Sequence, residues 1–186
     1  CEFCDIIVLN GHQSRAKTPA QMLAELDAIL ATGWRGSVFI VDDNFIGNKS
    51  EVRKLLPALV KWQKERGYPF SFFTEASVDL AGNNHRDILK LMVEAGFTDV
   101  FMGIETPDEE ALLLMKKGQN RGDLNRKVEI VQRAGLEVMG GFIAGSDGDK
   151  PNIFEEMFKF IQSNGIVISM VGLLTALRRT KLWYRL

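Results

Sequence analysis

The sequence predicts an α/β protein built from helix-then-strand units whose strands run parallel. Short apolar runs recur along the chain, and most are continuous rather than alternating with polar residues. Continuous runs are typical of strands buried on both faces, as in a parallel sheet. Helical apolar stripes lie between the runs, and a glycine stands at each helix-to-strand turn. This alternation favours right-handed parallel units.

Five segments are predicted as strands and the intervening stripes as helices. The predicted strands are 38–41, 70–73, 100–104, 138–143 and 166–174. Apolar residues at helical spacing form the stripes. The stripes consist of Met22, Leu23, Leu26, Ile29 and Leu30; Leu55, Leu56, Leu59 and Val60; Ile88, Leu91 and Met92; Val128 and Val131; and Phe154, Met157, Phe158 and Ile161.

Helix boundaries are predicted from capping residues. Thr18 is expected to cap a helix whose first position is Pro19, with Gln21 completing a capping box. Thr106 is interpreted as the cap of a second helix in the same way. Glycines in the left-handed conformation are expected to end the helices. These are Gly33, Gly67, Gly96, Gly135 and Gly165.

Composition excludes several classes of protein. The 186 residues are 46% hydrophobic, which suits a folded domain and argues against intrinsic disorder. No apolar run approaches the roughly 20 residues of a membrane span, and no export signal opens the sequence, so we expect a cytoplasmic protein. The net charge of −1 argues against a nucleic-acid partner.

Polar residues gather where the predicted strands end. Ligands bind at the carboxyl ends of the strands in parallel βα proteins, so these segments are candidates for a site. Asp42, Asp43 and Glu105 directly follow apolar strands, and we interpret them as functional. Thr106 and Ser146 are explained more simply as capping or solvated loop residues. The polar segments are 42–44, 74–77, 105–106 and 145–147.

Both cysteines, Cys1 and Cys4, lie in one short loop. A disulfide framework needs more cysteines, and a zinc site lacks its second pair. A redox-active pair and an iron–sulfur site both remain possible interpretations. The residues alone do not choose between them.

The segment Cys1-Glu2-Phe3-Cys4-Asp5-Ile6 resembles the end of the radical S-adenosylmethionine (SAM) signature C-x3-C-x2-C, with Phe3 as the aromatic residue before its last cysteine. Four strand-end segments resemble one branch of that superfamily, which carries an amino-terminal cobalamin-binding domain. This branch includes hopanoid methylases and the anaerobic magnesium-protoporphyrin monomethyl ester cyclase type. The four segments are 41–45, 74–78, 103–107 and 140–145.

The resemblance implies a partial (β/α)6 TIM-like barrel, with residues 1–186 as the radical SAM core domain. It also implies that the first strand and the first signature cysteine precede Cys1. A cobalamin-binding domain is expected upstream and a further region downstream.

The resemblance implies that Cys1 and Cys4 are metal ligands of a [4Fe–4S] cluster. SAM would bind the remaining iron, and one electron would cleave it to a 5′-deoxyadenosyl radical. Cobalamin-linked methyl transfer or an oxidative cyclisation would follow. The implied partners are a small-molecule substrate and an electron donor such as ferredoxin or flavodoxin.

The resemblance also implies where SAM binds. A carboxylate of the 42–44 segment suits the methionyl ammonium group, and Glu105 can accept two hydrogen bonds from the ribose diol. Phe3 is expected near the adenine, and residues of the fourth predicted strand along it. The implied cofactor-binding residues are Phe3, Asp42, Asp43, Asn44, Ser77, Glu105, Ile143 and Gly145.

Two other functions are considered. In the first, Asp42, Asp43, Glu75 and Glu105 hold a divalent metal in a βα-barrel lyase or hydrolase. In the second, the chain is a scaffold whose loops bind a partner without catalysis. Arg178 and Arg179 are interpreted as a solvated turn rather than a contact to an anionic substrate.

Overall fold

Helices and strands alternate along the chain in the computed structural model, which describes residues 1–186. The strands are β1 (Gly36–Ile40), β2 (Phe70–Glu75), β3 (Phe97–Glu105), β4 (Glu137–Ala144) and β5 (Ser169–Leu173). The helices are α1 (Ile6–Asn10), α2 (Pro19–Ala31), α3 (Lys49–Glu65), α4 (Arg86–Glu94), α5 (Glu109–Leu114), α6 (Leu124–Ala134), α7 (Ile153–Ser163) and α8 (Lys181–Arg185). None of the helices combines the length and the apolar character that crossing a membrane requires.

One parallel sheet contains all five strands in chain order, β1-β2-β3-β4-β5. Val38 lies opposite Phe72, and Phe101 lies opposite Met139. Because each strand pairs with the next after a helical crossover, the sheet curls into a half-barrel with the helices outside. The predicted α/β class and the five predicted strands are confirmed.

The core lies between the sheet and the helices α2, α3, α4, α6 and α7. Members of every predicted apolar stripe are buried there, among them Leu26, Leu56, Ile88, Val128 and Met157. Aromatic rings fill the space behind β2. The rings of Phe72 and Phe97, for example, are 5.4 Å apart and tilted by 49°.

Two members of the last predicted stripe do not face the core. Phe154 and Phe158 remain 61% and 62% exposed, whereas Ile153, Met157 and Phe160 are buried. The buried residues follow the i, i+4, i+7 spacing that points at the sheet, and the two exposed rings lie one position away from it. Placing them in the buried stripe was therefore wrong.

The helix boundaries agree with the sequence at α2 and differ at α5. Thr18 Oγ1 accepts a hydrogen bond from the Gln21 amide at 3.3 Å, and the Gln21 side chain accepts one from the Thr18 amide at 2.9 Å. The predicted capping box is confirmed. Thr106 caps no helix, because the Asp108 carboxylate accepts the amide hydrogens of Glu110 and Ala111 instead.

All five predicted helix-ending glycines adopt positive φ angles, between 59° and 109°. The two consecutive glycines of β4, Gly140 and Gly141, are constrained by crowding rather than by a positive φ angle. A Cβ added to Gly141 would lie 2.6 Å from Cζ of Phe101, and one added to Gly140 would lie 2.7 Å from Cε2 of Phe142. Aromatic rings of the chain itself therefore lie close to the backbone at these glycines.

Gly141→Ala is expected to lower the free energy of unfolding by about 1–3 kcal/mol, because the new methyl group overpacks against Phe101. Denaturant unfolding measures the change. Gly172→Ala is the matched control on β5, since a Cβ there meets no atom within 4 Å. It should change stability by less than about 0.5 kcal/mol. Equal losses in both variants would contradict the steric explanation.

The two edge strands depart from the predicted burial: β1 has no buried residue, and β5 departs further. All five of its residues are exposed, although its apolar run predicts burial on both faces. β5 lies at the edge of the sheet and pairs only with β4, so apolar side chains such as Met170 and Leu173 are not covered by a further strand.

Candidate functional site

The candidate site lies at the edge of the sheet where the parallel strands end. Because all five strands are parallel, the segments that follow them emerge at one edge. The cysteine loop, residues 1–5, is joined to this edge through backbone hydrogen bonds. The Glu2 amide donates to Met115 O at 3.2 Å, and the Leu182 amide donates to Glu2 O at 2.8 Å.

The cysteine loop presents two free thiols. Cys1 is exposed, Cys4 is half-buried, and the two form no disulfide. Phe3 between them is half-buried. Accessible thiols are the soft ligands that an iron–sulfur cluster takes, so the donor set fits two of the cluster ligands implied by the sequence.

The predicted segment Asp42-Asp43-Asn44 forms a turn after β1. Asp42 Oδ1 accepts a hydrogen bond from the Asn44 amide at 2.9 Å. Asn44 Oδ1 in turn accepts one from the Ser77 amide at 3.0 Å, which joins the ends of β1 and β2. The structure thus brings together two predicted site residues, Asn44 and Ser77, and leaves the carboxylates of Asp42 and Asp43 exposed.

Glu75, the last residue of β2, shares the negative potential of this turn. Burial raises the pKa of the Glu75 carboxyl, and the charges of Asp43 and Asp42 raise it further. These three carboxylates form an acidic patch at the strand ends. A cationic ligand group there would relieve their mutual repulsion.

Glu75→Gln is expected to stabilise the fold at pH 7 by less than about 1 kcal/mol, because it removes a partly buried charge and its repulsion by Asp43 and Asp42. The pKa of Glu75 in the folded state lies above its ordinary value of 4.5, so the folded protein binds more protons between those two values. The unfolding free energy of the unsubstituted chain therefore falls as pH rises through that window. The difference between the two proteins should vanish below pH 4.5, which denaturant unfolding at several pH values measures.

Glu65→Gln is the matched control for this prediction. The Glu65 carboxylate lies 3.7 Å from Lys61 and 3.7 Å from Arg66, so its charge faces cations rather than carboxylates. Its removal should not stabilise the fold at pH 7. Equal stabilisation by both variants would mean that only the net charge matters.

Glu105 ends β3 as a buried member of an ion pair. Its side chain accepts a hydrogen bond from Lys117 Nζ, and it adopts a left-handed φ of 67° at an irregularity in the pairing of β3 with β4. A Cβ at Gly103 would lie 2.6 Å from Glu105 Oε1, so the glycine provides room for the pair. Burial lowers the pKa of Lys117 to about 8, and the charge of nearby Cys4 opposes that shift.

Lys117 and Asn120 are site residues that sequence reasoning missed. Asn120 Nδ2 donates to the carbonyl oxygens of Gly103 and Ile104, both at 2.8 Å, and so holds the backbone before Glu105. Lysine is rarely buried, and the segment 116–121 has no apolar periodicity that would place it inside. The one local signal is the pair Lys117-Gly118, and it is too weak to predict that the lysine is buried.

The turn after β4 is organised by Asp149, which sequence reasoning also missed. Asp149 Oδ2 accepts the amide hydrogen of Gly145 at 2.6 Å and that of Ser146 at 3.1 Å. Ser146 Oγ donates to Asp149 Oδ1 at 2.6 Å, so this half-buried side chain helps to hold the turn. Ile143 is half-buried and Gly145 is exposed, with a left-handed φ of 97°.

The carboxylates proposed for a divalent metal do not form a metal-binding group. No set of three or more His, Cys, Asp or Glu side chains is arranged to hold an ion. Glu105 pairs with Lys117, whereas Glu75 neighbours Asp42 and Asp43. Arg178 and Arg179 are exposed, and the left-handed φ of 68° at Arg179 fits the predicted solvated turn.

Comparison with known proteins identifies a family match over most of the chain. The sequence profile of the Radical SAM superfamily matches residues 1–161. The chain is 52% identical over its full length to an uncharacterized methyltransferase of Synechocystis, of which it covers 34%. It is 44% identical, again over its full length, to the hopanoid C-2 methylase of Rhodopseudomonas palustris, of which it covers 35%. The chain thus spans about a third of the length of these relatives.

Solved structures show the same fold at low sequence identity. The radical SAM methyltransferase TsrM from Kitasatospora setae, with cobalamin and a [4Fe–4S] cluster bound, superposes with a TM-score of 0.73 and 16% identity. That match covers 92% of this chain and 33% of TsrM. The cobalamin-dependent SAM radical enzyme OxsB superposes with a TM-score of 0.68 and 20% identity, over 99% of this chain and 27% of OxsB. These similarities confirm the predicted half-barrel.

Proposed function

This chain belongs to the radical SAM superfamily, and we propose that it is the cluster- and SAM-binding core of a cobalamin-dependent methyltransferase. The observation that carries the proposal is the pair of free thiols, Cys1 and Cys4, in a loop anchored at the strand ends. Methyl transfer is favoured over oxidative cyclisation because both similar relatives are named as methyl-transferring enzymes.

Cys1 and Cys4 would hold two iron atoms of the cluster, and a cysteine preceding Cys1 would hold a third. When bound, the cluster supplies the electron that cleaves SAM. Cobalamin, held by a domain outside this chain, would supply the carrier for the methyl group. The chain's own contribution is to position these groups and to exclude water from them.

In this proposal the acidic patch binds the ammonium group of SAM, and Glu105 of the buried ion pair binds its ribose. The exposed carboxylates of Asp42 and Asp43 suit an ammonium group, and the hydrogen bond from Ser77 to Asn44 fixes the turn that carries them. Lys117 engages Oε1 of Glu105 and holds the carboxylate at the end of β3. The other oxygen, Oε2, is then the acceptor offered to the ribose hydroxyls.

Phe3, Ile143 and Gly145 complete the proposed binding surface for the adenine. Phe3 and Ile143 are half-buried side chains, which can cover a ring face without being withdrawn into the core. Gly145 lacks a side chain and leaves its exposed backbone open to the ligand. Their role as adenine contacts follows from the family resemblance of the cysteine loop and of β4.

The proposed substrate is a small apolar molecule, with ferredoxin or flavodoxin as the electron donor. The similarity to a hopanoid C-2 methylase supports a polycyclic lipid as the first substrate to test. A cyclase and a methyltransferase give different products from the same substrate, because only the latter adds a methyl group.

The test uses the full-length protein, purified without oxygen and reconstituted with iron, sulfide and cobalamin. SAM, a reductant and hopanoid substrates are added, and products are identified by mass spectrometry. We expect a [4Fe–4S] spectrum, 5′-deoxyadenosine from reductive cleavage of SAM, S-adenosylhomocysteine from methyl donation and a methylated lipid. A product that has lost hydrogen without gaining a methyl group would favour cyclisation. A protein that binds no cluster, or binds one without consuming SAM, would overturn the proposal.

A further inference from the structure

Glu2 is buried although it lies between the two thiols of an accessible loop. Its exposed fraction is only 4%, while the preceding Cys1 is exposed. Withdrawing a carboxylate from water is unfavourable unless cations and hydrogen bonds compensate for the lost hydration. The loop therefore turns the Glu2 carboxylate inward for a reason that the ligand role of the cysteines does not explain.

Two cations compensate the Glu2 carboxylate. Arg185 donates to Glu2 Oε1 from Nε at 3.1 Å and from Nη2 at 2.8 Å. Lys116 Nζ lies 3.4 Å from Glu2 Oε2. The guanidinium of Arg185 also reaches Asp147, with Nη1 2.6 Å from Oδ2, so one arginine joins the cysteine loop to the turn after β4.

The backbone of Glu2 is held by the same two regions as its side chain. Its amide donates to Met115 O, next to Lys116, and its carbonyl accepts from the Leu182 amide in α8, the helix that carries Arg185. Glu2 is thus fixed at its amide, its carbonyl and its carboxylate. Its neighbours Cys1 and Cys4 gain a defined position from this one residue.

We propose that Glu2 is the positioning residue of the cluster loop, and that its ion pairs with Arg185 and Lys116 preset the two thiols and set the charge beside the cluster. The inference rests on the proposed function in one respect, namely that Cys1 and Cys4 bind the cluster. It assigns a role to the inward-facing carboxylate and to α8, 183 residues away in the sequence.

If the charges of Glu2 and Arg185 act on the cluster, substituting them should shift its midpoint potential, which a purely structural role would not do. Glu2→Gln removes a negative charge and leaves two cations beside the cluster, which should favour the reduced cluster and raise its midpoint potential. Arg185→Gln removes a positive charge and should lower that potential. The double variant should return toward the unsubstituted value, because the two changes in charge oppose each other.

The experiment uses the full-length protein reconstituted with iron and sulfide, and compares both single variants with the double variant. Midpoint potentials are measured by titration followed by electron paramagnetic resonance, and iron release to a chelator is timed. Altering residues that orient metal ligands weakens metal binding by about 10–100-fold, so iron release should accelerate by about tenfold in Glu2→Gln. Lys181→Gln is the matched control, since it removes a cation from the same helix and Lys181 makes no ion pair.

The outcomes separate this inference from the proposed function. Opposite shifts of the potential, with the control unchanged, support the positioning role. A cluster of normal potential and normal iron release in Glu2→Gln overturns the inference alone, even if the variant unfolds at a lower temperature. If Glu2→Gln does not fold, Arg185→Gln and Arg185→Lys still test the sign, since lysine keeps the charge and should restore the potential. An unsubstituted protein that binds no cluster overturns both proposals.

Discussion

Replacing Cys4 by serine is expected to reduce the iron retained by the full-length protein to background and to abolish cleavage of SAM. The thiolate is the soft donor that iron–sulfur clusters require, and a serine hydroxyl does not replace it at neutral pH. Iron and sulfide analysis and the visible absorption of the cluster measure the first effect. Quantifying 5′-deoxyadenosine and S-adenosylhomocysteine measures the second. Cys1→Ser should give the same result.

The fold should survive these substitutions. Cys1 is exposed and Cys4 is half-buried, and neither belongs to the core, so the unfolding temperature before reconstitution should hardly change. Asp5→Asn is the matched control in the same loop, because the Asp5 side chain caps no helix. It should retain iron. Normal iron content in Cys4→Ser, or loss of iron in Asp5→Asn, would contradict the ligand assignment.

The fold was largely predictable because its strongest signals are local. Buried parallel strands produce continuous apolar runs, and helix ends require glycine or a capping side chain, as at Thr18. The errors arose where tertiary context decides. Phe154 and Phe158 are apolar but lie beside the buried face of α7, and β5 has an apolar sequence but only one neighbouring strand.

Only those site residues that directly follow parallel strands could be placed together from the sequence, because parallel strands end at the same edge of the sheet. Asn44 and Ser77 follow adjacent parallel strands, so their meeting follows from the topology. The partner of Glu105 could not be identified in the same way, because Lys117 reaches it from the segment after α5. The ion pair of Glu2 could not be predicted for the same reason, because its partner Arg185 lies at the other end of the sequence.

The ion pair between Glu105 and Lys117 is buried, so we expect the stability of the fold to depend on it. The exposed fractions of the two side chains are only 8% and 11%. Two charges removed from water depend on each other, so the loss of either leaves an uncompensated charge in the interior. The left-handed backbone of Glu105 and the glycine at 103 show that the local structure accommodates this pair at some conformational cost.

Lys117→Met is therefore expected to lower the free energy of unfolding by about 3–5 kcal/mol, because it leaves the Glu105 carboxylate buried and unpaired. Denaturant unfolding measures the loss. Glu105→Leu should destabilise the fold comparably, and the double variant should lose much less than the sum, since no isolated charge remains. Lys90→Met is the control: Lys90 is 78% exposed with its Nζ 3.7 Å from Glu94, and its removal should cost less than about 0.5 kcal/mol. If Lys117→Met were as mild as Lys90→Met, or if the two single losses were simply additive, Lys117 would not be what holds the Glu105 carboxylate at the end of β3. The carboxylate would then need another anchor before it could be assigned to the ribose.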